Sequence, residues 1–482
     1  MTVPAFDETV PLFIGGESVP ASDGETFVTE DPATEERLAD VASAGPEDVD
    51  RAVASAREGF EAWQALEPPE RGRRLLAVAD AIRDHKEELA EIETLDQGKP
   101  ISAARGSVET AARYIEFYAG LADKIHGDTI PVDGSWNSQT IPEPYGVSAQ
   151  VTPWNYPITQ ITRGAGPALA AGNAVVGKPA SPTPLTTVRV AQIASEAGLP
   201  DGVLNAIPGS GQDAGDPLVS HRDVDVVTFT GSRVTGQRIM ESAATQMSPV
   251  TLELGGKSPA VVFEDADVER VVDSLLLGIL RNAGQTCSAA SRLLVHESLE
   301  EQVVDRFVER AGEYDLGPGV DDPDMGPLVS EDQFETVTEY IDLGQREGAT
   351  LRAGGGSSRP GYFVEPTVFT DVAHDMRIAQ EEIFGPVLTV STFADEDEAV
   401  ELANDVDYGL VAGVFTAEYE RANRVARAID AGQVYVNDWF AGGVETPFGG
   451  YKDSGIGREK GMQAVEEYTQ LKTINSRSFR RD

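Results

Sequence analysis

The feature that most constrains this chain is a regular alternation of strand-like and helix-like segments that begins at Gly146. Val147–Val151, Asn173–Lys178, Val203–Ile207 and Val226–Thr230 are short apolar runs bounded by turns. Between them, Ile158–Ala171, Pro184–Ala197, Ala214–Leu218 and Ser232–Ala243 have helical periodicity. Apolar strands separated by helices call for a mostly parallel sheet covered on both faces. A second region of this kind starts near Gly255, with a strand at Pro259–Phe263 and a helix at Val268–Asn282, and runs to about Gly443. At 482 residues the chain exceeds what one core serves, so two or more domains are expected.

The segments before Gly146 read differently. Up to about Ala44, short extended runs alternate with turns such as Gly15-Gly16. Amphipathic helices follow at Asp48–Trp63, Glu70–Leu95 and Ile101–Leu121. Ile125–Pro144, rich in proline, glycine and polar residues, breaks the pattern as an extended excursion, and Leu471–Asn475 reads as a short terminal strand.

Charge narrows the function. There are 81 acidic against 38 basic residues, a formal net charge of −43, and the acids are spread along the whole length. Such a surface repels itself unless concentrated salt screens it, which points to a high-salt cytoplasm. Nucleic-acid binding needs a basic face and is opposed by this balance. One cysteine excludes internal disulfides and cysteine-rich metal sites, and no metal is expected. The N-terminus lacks a basic segment followed by an apolar one, and no run of about 18 apolar residues occurs, so neither a signal peptide nor a membrane span is expected.

Four short motifs bear on chemistry. Thr152-Pro153-Trp154-Asn155-Tyr156-Pro157 follows a strand and projects a neutral amide from a proline-fixed turn. Leu252-Glu253-Leu254-Gly255-Gly256-Lys257 sets a carboxylate at a strand end beside glycines. Asn282-Ala283-Gly284-Gln285-Thr286-Cys287-Ser288 holds the lone thiol. Glu381-Glu382-Ile383-Phe384-Gly385-Pro386 is the fourth. Singly, each has a bland reading: a small buried thiol, a solvated loop glutamate, a turn.

Jointly, and in this order, the motifs resemble those of the aldehyde dehydrogenase superfamily. The likeness runs from Phe13-Ile14-Gly15-Gly16 through Pro447-Phe448-Gly449-Gly450-Tyr451-Lys452-Asp453-Ser454-Gly455 to the terminal strand. The resemblance implies that Cys287 attacks an aldehyde to give a thiohemiacetal. The Asn155 amide and the Cys287 backbone N–H would hold the oxyanion. Oxidation by the nicotinamide leaves a thioester, which a water deprotonated by Glu253 would hydrolyse.

By the same resemblance Thr152, Pro153, Trp154, Lys178, Ser181, Gly211, Phe229, Gly231, Ser232, Gly236, Leu254, Glu382 and Phe384 would form the cofactor site. Ser232 would meet the pyrophosphate at a helix N-terminus. Lys178, read as lying beside Glu253, would bind the cofactor ribose, Glu382 the nicotinamide ribose, and Phe384 would lie against the nicotinamide. Many NAD-using members carry a glutamate where this chain has Ser181. A glutamate repels a 2′-phosphate and a serine does not, so NADP is expected to be preferred, with NAD possible.

Arg163 and Arg281 match positions where semialdehyde-oxidising members bind a substrate carboxylate. The expected substrate is an ω-semialdehyde such as 2-oxoglutarate semialdehyde (2,5-dioxopentanoate) of sugar-acid breakdown. Alternatives are a succinate semialdehyde dehydrogenase, a betaine-aldehyde or broad-range dehydrogenase, a CoA-acylating enzyme, and an inactive structural homologue. The implied architecture is α/β, with two doubly wound parallel-sheet domains and a β arm. Residues 1–122 and 144–253 would bind cofactor and 254–450 would form the catalytic domain. Residues 123–143 and 451–482 would form an oligomerisation arm for a dimer or tetramer.

Overall fold

The computed structural model describes residues 9–477. Its first sheet has eight strands. The inner five are parallel, in spatial order Leu204–Ala206, Ala174–Lys178, Val147–Val151, Val226–Thr230 and Val250–Glu253. They are almost wholly buried, because helices cover both faces. The order reverses between Val147–Val151 and Val226–Thr230: the chain first builds outward on one side, then returns to build on the other. Ligands of open α/β sheets bind beyond the carboxyl ends of the strands at such a reversal. The loops that leave these two strands are Thr152–Tyr156 and Gly231–Ser232.

The second sheet has seven strands, ordered Thr350–Ala353, Thr367–Thr370, Val387–Phe393, Arg292–His296, Pro259–Val262, Val411–Phe415 and Gln433–Val436. All neighbours except the first pair run parallel. Its core is separate from that of the first sheet.

A third, antiparallel sheet joins Thr469–Arg477 to Trp136–Pro144, with Thr129–Ile130 on its other edge. Trp136 and Leu471 are more than half exposed there (51% and 67%), so this sheet presents apolar surface outward. The C-terminal segment is divided, however. Gly455–Ile456 pairs with Val250–Glu253 at the edge of the first sheet, so residues 451–482 do not belong wholly to the arm.

Three local expectations are corrected. Glu70–Leu95 is two helices, Pro68–Asp84 and Lys86–Gln97. They meet at His85, which leaves helical geometry (φ −95, ψ 18) while both helices keep burying apolar residues. Ala214–Leu218 is a turn over Gly211–Gly215 followed by the short helix Asp216–Val219. The helix expected to reach Asn282 stops at Leu280, because Asn282 and Ala283 turn left-handed (φ 54 and 53).

Candidate active site

Cys287 lies between that helix and the strand Arg292–His296. The left-handed run continues through Gly284 (φ 73), whose missing side chain lets the Gly385 carbonyl approach; a Cβ there would sit 2.1 Å from its oxygen. Buried Gln285 braces the loop. Its amide donates to the Asn282 carbonyl (2.9 Å) and accepts from the Val329 N–H (2.9 Å). Trp439 Nε1 donates to the Ser288 carbonyl (3.0 Å), and the Tyr156 and Thr286 hydroxyls bond at 3.1 Å. The thiol is thus fixed from both sides. Burial pushes it up to about 12, with the Arg163 cation partly offsetting and the Glu253 and Glu382 carboxylates adding to the rise.

The Asn155 amide is held in place by donation from Nδ2 to the Gln285 carbonyl (2.9 Å). An amide has two N–H bonds, so one remains for a ligand. The Asn155 carbonyl accepts from Asn282 Nδ2 (3.0 Å) and from Lys99 Nζ (3.2 Å). Lys99 is itself paired with Glu93 at 2.7 Å, with both side chains buried. These residues tie the Trp-Asn-Tyr turn to the first domain's helices.

Glu253 ends its strand with both carboxylate oxygens buried and without hydrogen-bond partners among the described residues. Burial and the nearby Glu459 hold its carboxyl well above the ordinary range. Gly449 leaves room for it, since a Cβ there would lie 2.8 Å from Oε1. Arg163 Nη2 is 3.9 Å from Glu253, but its principal partner is Glu459, against which it packs directly, and it stacks on the Phe448 ring (4.9 Å). This corrects the expectation for Arg163: buried and neutralised by Glu459, it offers no free charge to a substrate.

Two cavities meet at Cys287. The larger, about 550 Å³, is walled by Tyr156, Arg281, Tyr435, Phe440, Phe448 and Lys460, among others. Arg281 is an exposed cation on this wall, stacked near Phe440 (5.5 Å), and among the described residues it has neither an ion pair nor a hydrogen bond. The smaller, about 240 Å³, is walled by Pro153, Trp154, Asn155, Gly231, Ser232, Glu253, Leu254, Glu382 and Phe384. It lies at the strand reversal.

The lining of the smaller cavity suits one end of a dinucleotide. Ser232 caps the twelve-residue helix Arg233–Ala244 by accepting from the Thr235 N–H, and with Gly231 it brings the N-terminal end of that helix, which favours anions, to the cavity wall. Gly231 packs on the Phe229 ring and Gly236 on Leu254, where Cβ atoms would come within 2.4 and 2.6 Å. Gly255 is bare beneath Glu382, whose carboxylate would meet a Cβ at 1.9 Å. Glu382 accepts from the Gly256 N–H (3.0 Å), and burial raises it to about 7. Trp154 and Phe384 meet edge to face at 5.2 Å. Gln333 Nε2 donates to the Phe384 carbonyl (2.9 Å) and so fixes its left-handed backbone.

Lys178, Ser181 and Gly211 do not line this cavity. They gather around the 209–215 turn: Lys178 lies beside Gly215, Ser181 Oγ donates to the Gly209 carbonyl (3.2 Å), and Gly211 opens the turn. Lys178 is not beside Glu253, because the strands Val147–Val151 and Val226–Thr230 stand between them. Thr152 sits below, its N–H bonded to the Lys178 carbonyl (3.1 Å). Residues missed from sequence are Lys257, whose buried Nζ lacks a hydrogen-bond partner among the described residues, Glu459 and Lys460. Lys257 could have been noticed as the second charged residue, after Glu253, of a buried glycine motif.

The geometry agrees with known proteins. The aldehyde dehydrogenase family profile matches residues 19–474. An aldehyde dehydrogenase of Aspergillus niger is 45% identical, over 98% of this chain and 96% of its own. A betaine aldehyde dehydrogenase of Bacillus subtilis is 44% identical, over 96% of each. The NAD+ complex of an aldehyde dehydrogenase from Bacillus cereus superposes with a TM-score of 0.97 at 46% identity, covering 98% of this chain and 97% of that one. The chain belongs to the aldehyde dehydrogenase family and is an NAD(P)-dependent enzyme of that class.

Proposed function

We propose that this enzyme oxidises an ω-semialdehyde bearing a remote carboxylate, such as 2-oxoglutarate semialdehyde of sugar-acid breakdown, with NADP preferred over NAD. Succinate semialdehyde is the nearest alternative. In this reading Cys287 attacks the carbonyl, and the free Asn155 N–H with the Cys287 backbone N–H holds the resulting oxyanion. Glu253, facing the junction of the two cavities, takes the proton from the thiol and later from the hydrolytic water. When bound, the nicotinamide supplies the hydride acceptor that converts the thiohemiacetal to the thioester. Glu382, Trp154 and Phe384 orient it, Ser232 meets the pyrophosphate, and Ser181 with Lys178 faces the adenine ribose.

The observation that carries the substrate reading is Arg281, a cation without a carboxylate partner among the described residues, on the wall of the cavity that ends at Cys287. The chain as a whole has more than twice as many acids as bases. On this cavity wall Arg281 and Lys460 have no ion pair among the described residues, whereas Glu109 and Glu445 are paired with Arg83 and Arg113, and Arg163 with Glu459. A trimethylammonium aldehyde would be repelled by such a wall. The exposed apolar arm supports a homo-oligomer, and the dispersed acidity supports a salt-rich cytoplasm. The test is reduced-cofactor formation from succinate semialdehyde, 2-oxoglutarate semialdehyde, betaine aldehyde and hexanal, with NAD and NADP, in high salt. A preference for betaine aldehyde or hexanal would overturn the substrate reading. A large NAD preference would overturn the cofactor reading.

A further inference from the structure

Lys460 is one of only eight lysines in the chain, and it stands on the wall of the larger cavity. Its placement is fixed by its neighbours. The Glu459 N–H donates to the Phe448 carbonyl and the Phe448 N–H returns the bond, both at 2.7 Å. The Gly461 N–H donates to the Val444 carbonyl (2.9 Å). Val444 and Phe448 wall the same cavity, so the 459–461 turn is pinned to that wall. Lys460 takes the left-handed conformation between these anchors (φ 61), which a lysine does not favour.

Its Nζ lies 5.5 Å from the Phe448 ring centre. Among the described residues it makes no ion pair and no hydrogen bond, although acids outnumber bases two to one. The carboxylates near it are engaged or enclosed: Glu459 by Arg163, Glu445 by Arg113 at 2.5 Å, and Glu253 by burial at the end of its strand. Burial pulls the ammonium down to about 8, so it remains charged at neutral pH, and an arriving anion would favour that charge further. Arg281 stands near Tyr156 and Phe440, whereas Lys460 stands near Phe448 and Arg163.

We propose that Lys460 is a specificity-determining residue that, together with Arg281, grips the remote carboxylate of the substrate from a second aromatic wall of the cavity. This rests on the semialdehyde reading above. Two cations on separate walls fix both the charge and the reach of the substrate. The aldehyde meets Cys287 only when its anionic end spans the gap between them. A single arginine would fix the charge alone.

The experiment compares the ratio of kcat/KM for succinate semialdehyde to that for hexanal in the full-length enzyme and in Lys460→Met, Lys460→Arg and Arg281→Ala. The expected result is a ratio at least tenfold lower in Lys460→Met, arising mainly in KM, and largely restored in Lys460→Arg. If Arg281→Ala lowers the ratio and Lys460→Met leaves it within twofold, the role of Lys460 is refuted while the semialdehyde reading stands. If neither variant lowers it and the unaltered enzyme prefers hexanal, that reading falls too. Equal losses on both substrates in Lys460→Met and Lys460→Arg would also refute the proposal, since they report a structural role.

Discussion

Lys99 donates through Nζ to the main-chain carbonyl of Asn155, 3.2 Å away, from a position where it is wholly enclosed with Glu93. A buried ion pair here fixes the turn that carries the Asn155 amide. Breaking such a pair on one side leaves a charge stranded in the interior, which costs about 3–5 kcal/mol. Lys99→Met is expected to destabilise by that amount in chemical unfolding. Lys99→Met with Glu93→Leu should recover most of the stability but not the rate, because the Asn155 carbonyl then keeps only the Asn282 donor and the turn is held less firmly.

Glu253 as base predicts a pH profile. A carboxyl held above its ordinary range by burial and by Glu459 is protonated, and idle as a base, at acidic pH. The steady-state rate should therefore rise with pH through and above the range where a free carboxylate has already ionised. Glu253→Gln should lower that rate by roughly 10²–10⁴-fold and flatten the profile. A variant that keeps the profile would remove Glu253 from the role.

The thiol gives a second profile. With Cys287 pushed up to about 12 by burial, the thiolate fraction without cofactor is small and grows tenfold per pH unit. Alkylation by iodoacetamide should keep accelerating to at least about pH 10, rather than level off near the ordinary thiol value of about 8.5. Cys287→Ala should abolish both labelling and turnover.

Ser181 is the lever for the cofactor. It has a small hydroxyl, already bonded to Gly209, in the region assigned to the adenine ribose. Ser181→Glu would set a carboxylate against a 2′-phosphate. The expected outcome is a loss in kcat/KM for NADP of roughly tenfold or more, equivalent to about 1.4 kcal/mol, with NAD affected much less. Equal effects on both cofactors would refute the assignment.

Salt should act on the whole molecule. The net charge of −43 is dispersed, and raising the electrolyte to about 1 M shortens screening to about 3 Å. The melting temperature should rise between dilute buffer and concentrated KCl, whereas a surface without self-repulsion would show little change.

The chain order of strands and helices was legible because buried parallel strands are apolar along their whole length and the helices between them are periodic. The motif residues Asn155, Glu253 and Cys287 were legible because they sit in short, dense patterns. Other features were not. Nothing in local periodicity marks the left-handed turn at Asn282 and Ala283, since the apolar pattern of the preceding helix continues into it. The neutralisation of Arg163 by Glu459 joins distant parts of the chain, and an arginine read alone looks the same whether free or paired. Lys460 is not legible in sequence because its only signal is three-dimensional: a cation on a cavity wall whose neighbouring carboxylates are engaged or enclosed elsewhere.

Cys287 belongs to two cavities at once, one wide and one narrow. In the proposed reading the aldehyde and the dinucleotide would therefore reach the sulfur through different doorways. Crowding one passage does not close the other, so high concentrations of either reactant should not mimic the other in steady-state inhibition. A reagent shaped for the wide passage can seal the nucleophile while leaving the dinucleotide passage open.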